Sequence, residues 1–162
     1  MSNKIIGFVA VAILLLGGLF IAGRYAAPSD SSLTGAAGNI SADNYYDFGK
    51  IRMTDGNVEK TFALQAPADR GMLIEKVYTS CMCTTAALIL GEKVLGPYGM
   101  PGHGIVPAVN ETLAVGLAAT VKVIFDPAAH GPAGIGIMER FVTVESDAGD
   151  PIIYKIRAEV TP

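Results

Sequence analysis

The chain has 162 residues, 51% of them hydrophobic, with a formal net charge of −3, a length that suits one domain with an appendage. Ten of the twelve Lys/Arg and fourteen of the fifteen Asp/Glu lie from Asp43 onward, and Trp is absent. These charges are interspersed rather than striped, which argues against nucleic acid as a partner and against a polybasic lipid-binding face.

The chain opens with an apolar block. Ile5 to Gly23 is a run of 19 uncharged residues between Lys4 and Arg24. As a helix it would span roughly 28 Å, close to the hydrocarbon thickness of a bilayer. It is longer than a signal-peptide apolar region, a charge follows at once, and no Cys lies nearby as a lipoprotein acceptor. The expectation is an uncleaved anchor over 5–23, with residues 1–4 as a short cytoplasmic tail. The flanking cations give only a slight orientation bias. The simplest arrangement puts the N-terminus inside and the C-terminal domain outside the cytoplasmic membrane, as a single-pass protein. Residues 24–44 are small, polar and rich in Gly, Ser and Ala, which predicts a flexible tether.

Residues 45–162 read as strands. Tyr45 to Met53 is extended in character, with Gly49 at a bulge or close approach, and Thr54-Asp55-Gly56-Asn57 is a turn signal. Val58 to Leu64 alternates, with Val58, Phe62 and Leu64 on one face. Met72 to Ser80 is the next strand, with Leu73 and Val77 on one face and Ile74 and Tyr78 on the neighbouring positions. Thr84 to Leu90 is either one helical turn or a further strand. Leu95 to Val109, LGPYGMPGHGIVPAV, has no period and reads as a long inserted loop, a feature often functional in compact domains. Thr120 to Asp126 places Val121, Val123 and Phe125 inward, and Met138 to Ser146 follows. Ile152 to Thr161 alternates most regularly, with Ile152, Tyr154, Ile156, Ala158 and Val160 on one face. Five to seven short strands separated by turns predict an antiparallel β-sandwich.

Four metal-ligating side chains stand apart from this pattern. The only cysteines form Cys81-Met82-Cys83, and the only histidines, His103 and His130, each sit in a Gly/Pro-rich loop. Two thiolates and two imidazoles suit zinc or copper(I), and the thioether of Met82 or Met100 would favour copper(I). The candidate metal site is therefore Cys81, Cys83, His103 and His130, with Met100 as an extra ligand. The Cys-x-Cys gap is tighter than that of a zinc finger. A second reading is thiol redox chemistry at Cys81 and Cys83, where bridging residues i and i+2 would strain the backbone. A third is structural, with buried cysteines acting as small hydrophobes and the glycines serving tight turns. The sequence has no nucleophile elbow, zincin motif or P-loop, and no dinucleotide-binding motif after a strand, so the expectation is a protein that is not an enzyme.

Tyr46-Asp47-Phe48-Gly49-Lys50-Ile51, Thr79-Ser80-Cys81-Met82-Cys83-Thr84, Phe125-Asp126-Pro127 and the segment from Gly131 to Val144 together resemble the domain-of-unknown-function family 1573. That family opens on a D-F-G strand and carries an S-C-x-C-T motif. The resemblance runs from about Tyr46 to Val160. It implies an exported or anchored bacterial protein with an immunoglobulin-like sandwich, and it implies no particular reaction. Gly96 to His103 and the segment AHGPAGIGIM depart from the family pattern. The first functional expectation is a binding or scaffolding module whose partner is another envelope protein, met at a strand edge or through the Gly/Pro loops. The alternatives are the copper or zinc site and the thiol-redox pair.

Overall fold

The computed structural model describes residues 42–103 and 106–162; the apolar block 5–23 and most of the expected tether lie outside them. Ala42–Asn44 forms a single 3-10 turn that leads into the first strand. Nine strands follow: β1 Tyr45–Arg52, β2 Val58–Gln65, β3 Met72–Thr79, β4 Thr84–Leu90, β5 Lys93–Tyr98, β6 Glu111–Leu113, β7 Ala118–Phe125, β8 Gly136–Ser146 and β9 Ile152–Thr161. They form two sheets, one in the order β1-β9-β8-β3-β6 and one in the order β2-β7-β4-β5. The chain is thus a β-sandwich. The neighbours β9-β8-β3 and β2-β7-β4 follow the strand order of the two sheets of immunoglobulin-type sandwiches.

Period-two patterning builds the core. Phe62 and Leu64 of β2, Val121, Val123 and Phe125 of β7, and Tyr154, Ile156, Ala158 and Val160 of β9 are all buried. Each Val, Leu, Ile or Phe side chain removed from water in this way contributes about 1.5–3 kcal/mol. Tyr154 spans the two layers: its ring lies 5.0 Å from that of Phe62, and its hydroxyl donates to the Ala63 carbonyl oxygen at 2.9 Å.

Three expectations change. The Gly/Pro segment is not one loop, because Lys93–Tyr98 pairs with β4 as an edge strand, matching Leu88 with Leu95 and Ala86 with Tyr98. Gly96 and Pro97 mask its alternation, and an edge position tolerates both. The sandwich is not purely antiparallel, since β1 runs parallel to β9. No hairpin joins these two strands to impose opposite directions. In β3 the buried residues are Met72, Ile74, Val77 and Thr79, not one continuous parity. A register shift against β8 between Ile74 and Lys76 leaves Glu75 and Lys76 both exposed and inverts the face. The expected irregularity at Gly49 is present: the β1–β9 register shifts between Asp47 and Lys50, and Gly49 has φ +68°. Thr84–Leu90 is a strand rather than a helical turn.

Candidate metal centre

The Cys-Met-Cys segment lies in the crossover between the sheets. β3 ends at Thr79 in one layer and β4 starts at Thr84 in the other, so Ser80–Cys83 must turn sharply. The Thr84 amide donates to the Cys81 carbonyl at 3.1 Å, closing the turn. The buried Thr79 hydroxyl reaches the carbonyls of Cys81 at 3.0 Å and Thr84 at 2.9 Å, bracing it from inside. Ser80 docks the turn on β8: its amide donates to the Phe141 carbonyl, and its Oγ accepts from the Phe141 amide at 2.9 Å. The Asp126 amide donates to the Cys83 carbonyl at 2.9 Å, which links the turn to the end of β7.

That last bond brings in the segment carrying His130. Asp126 Oδ1 accepts from the Ala128 amide at 2.8 Å, and the Gly131 amide donates to the Ala128 carbonyl at 2.9 Å. The chain therefore folds back over the crossover before β8 begins. Gly134 is buried beneath His130, and a Cβ there would lie 3.2 Å from the His130 Cβ. Glycine at 134 lets the imidazole carrier sit this close.

The three ligand atoms converge. Cys81 Sγ lies 3.1 Å from His130 Nε2, and the Cys83 thiol points at Cys81 Sγ at 2.7 Å. The two sulfurs and one ring nitrogen all lie within 4.8 Å of one another. Exposure is graded across the group, with Cys83 buried, Cys81 half-buried and His130 exposed. An ion would enter past the imidazole and meet the deeper sulfur last. These atoms hold one another through shared protons, and metal binding replaces such protons. At tetrahedral angles and bond lengths of about 2.0–2.3 Å, the sulfurs would need to part by roughly 1 Å.

Arg140 completes the environment. Its Nε donates to Cys83 Sγ at 3.1 Å, and its Nη2 lies 3.0 Å from Met138 Sδ. Burial opposes ionisation of Cys81. Hydrogen bonds from the Cys83 thiol and amide and from His130, with the Arg140 charge, outweigh it and bring the Cys81 thiol from 9.0 down to about 7. Cys83 is pushed up, first by burial and then by donating its proton to Cys81, with Arg140 pulling the other way. The pair shares one negative charge near neutral pH, centred on Cys81.

Of the five residues expected to ligate, three are assembled. His103 is not in the cluster. Its loop starts where the Thr79 amide donates to the Gly99 carbonyl at 3.1 Å, then turns through Gly102 at φ +90° and leaves His103 exposed. Met100 belongs to that loop, and Met82, between the cysteines, is 55% exposed. The residues missed are Arg140, Thr79, Ser80 and Gly134. Arg140 had a readable signal: it shares its parity in β8 with Met138, Val142 and Val144, an apolar row in which a guanidinium is out of place.

No family model matches the chain, and no curated protein is similar to it. Among solved structures, a protein of unknown function from Porphyromonas gingivalis W83 is similar at a TM-score of 0.52 with 13% identity, over 72% of this chain and 44% of that one. A family 123 glycoside hydrolase from Clostridium perfringens is similar at a TM-score of 0.51 with 8% identity, over 73% of this chain and 23% of that one. The ASH / PapD-like domain of human CEP192 is matched over 74% of this chain and 82% of that one, at a TM-score of 0.44 with 11% identity. The chain spans less than half the length of the first two. At such identities the likeness is one of fold alone.

Proposed function

We propose that this sandwich is a soft-metal binding module, held outside the cytoplasmic membrane by the helix expected over 5–23, with Cys81, Cys83 and His130 as ligands to one copper(I) or zinc ion. The observation that carries the reading is the convergence of two thiols and an imidazole within 4.8 Å, on two segments tied together at the Asp126–Cys83 backbone bond. A purely scaffolding module has no need of that convergence, nor of a guanidinium placed on one of the sulfurs. Thiolate and imidazole are the donors that zinc and copper(I) share. Three protein ligands leave zinc one open coordination position.

Metal analysis of the full chain purified without chelator tests this. The expected result is about one equivalent of copper or zinc, lost in C81S, C83S and H130N and kept in H103N. No uptake on anaerobic reloading, or full uptake by the C81S/C83S double variant, would refute it.

The 2.7 Å approach of the two sulfurs and the lowered Cys81 thiol favour one second reading, a dithiol–disulfide pair. Thiol titration with and without the ion separates the two. Protection of both thiols by one equivalent of metal supports the first reading; rapid loss of both thiols to mild oxidants despite the metal supports the second.

A further inference from the structure

We infer that Arg140 is a fixed countercharge that makes the Cys81–Cys83–His130 site prefer a monovalent soft ion, copper(I), over divalent zinc; this rests on the metal-site reading above. Charge balance sets the preference. Two thiolates and a neutral imidazole around copper(I) carry a net charge of −1. The same ligands around zinc(II) carry none. Arg140 Nε is 3.1 Å from Cys83 Sγ, so its charge sits in direct contact with the ligand shell. It neutralises the copper(I) complex and leaves the zinc complex with an excess positive charge.

Neighbouring carboxylates do not cancel this. Among the described residues no carboxylate joins the ligand group. Glu139 turns to Lys155, with Oε1 2.7 Å from Nζ. The Asp126 carboxylate is bonded to the Ala128 amide in its own segment, and not to Arg140 or to either sulfur. Two further anchors hold the guanidinium in place, the Glu139 carbonyl at 2.7 Å from Nη1 and Met138 Sδ at 3.0 Å from Nη2. Arg140 is itself half-buried, so its field on the sulfur is less screened than that of a surface cation.

The test is a ratio. Both metals start from the same metal-free protein, so the ratio of copper(I) to zinc(II) affinity isolates the two bound states. It is measured anaerobically on the full chain in detergent, with copper(I) competed against bicinchoninate and zinc(II) against a chromophoric chelator, for the natural protein, R140Q and R140K. A charge lost in contact with the shell should lower the ratio in R140Q by about tenfold, mainly through tighter zinc(II) binding, because the metal-free pair and the copper(I) complex carry the same net charge. R140K, which keeps the charge, should recover most of it. Thermal melts of the metal-free proteins check that R140Q is folded. A ratio within twofold of the natural protein, or an equal loss of both metals, would overturn the countercharge role while leaving the metal site standing. No binding of either ion by the natural protein would remove the site and this inference together.

Discussion

The two histidines make a controlled comparison within one molecule. His103 and His130 both sit in Gly/Pro-rich segments, both are exposed, and both follow a strand end. Only His130 meets the cysteines. The difference lies in what each segment is tied to. The His130 segment leaves β7 at Asp126, whose amide holds the Cys83 carbonyl, and it returns at β8, whose Phe141 is bonded twice to Ser80. The His103 segment is tied by its root to the Thr79 amide, and it leaves His103 exposed and outside the ligand group. Composition makes the two alike, and strand connectivity separates them.

The largest expected effect is on the histidines themselves. H130N should weaken metal binding by about a hundredfold or more, above the roughly 10–100-fold that outer-shell partners carry, while H103N should leave it unchanged. Competitive chelator titration checks both. Equal losses would break the comparison.

Thr79 stands between the two segments, its hydroxyl on the cysteine turn and its amide on the root of the His103 loop. T79V keeps the amide bond and removes the hydroxyl, so the Thr84 carbonyl loses that donor while the Cys81 carbonyl keeps the Thr84 amide. The expected cost is about 1–3 kcal/mol in denaturant unfolding, with weaker metal binding and no change around His103.

The pH dependence of alkylation sharpens the contrast. The Cys81 thiol titrates at about 7 in the folded protein, so its reaction rate should rise with pH and level off above that value, instead of climbing towards the ordinary 9.0. His130 is one of the groups that lower it, so H130N should shift the midpoint upward and H103N should not. Iodoacetamide kinetics on the metal-free protein with Cys83 intact, with Cys81 followed by peptide mass, provide the readout.

The smallest effect is at the glycines. G134A places a Cβ 3.2 Å from that of His130, whereas a Cβ at Gly99 meets nothing within 4 Å. Because His130 is exposed and can give way, G134A should cost under about 1 kcal/mol of stability. It should still move the imidazole enough to lower metal affinity several-fold, with G99A neutral.

Much of the sandwich was legible because its strands carry their apolar residues at every second position, as Ile152 to Val160 do. The strands that escaped were those where another demand overrode that pattern: β5 carries Gly96 and Pro97 on an edge, and β6 has only three residues. β3 was read as a strand but not by its inward face, because the bulge at Glu75–Lys76 splits it between two parities. At the site, the sequence marked the chemistry of Cys81, Cys83 and His130 but offered no means of choosing between the two histidines. That choice depends on backbone bonds joining residues more than forty positions apart. Arg140 was marked by its place in an apolar row, a cue that acquires meaning only once the sulfur beside it is known.

X-ray absorption at the metal edge of the loaded full chain reads the ligand set itself. Two sulfur ligands and one imidazole nitrogen, with the imidazole signature lost in H130N and kept in H103N, are the predicted result. A shell without sulfur, or an imidazole signal that survives H130N, would contradict it.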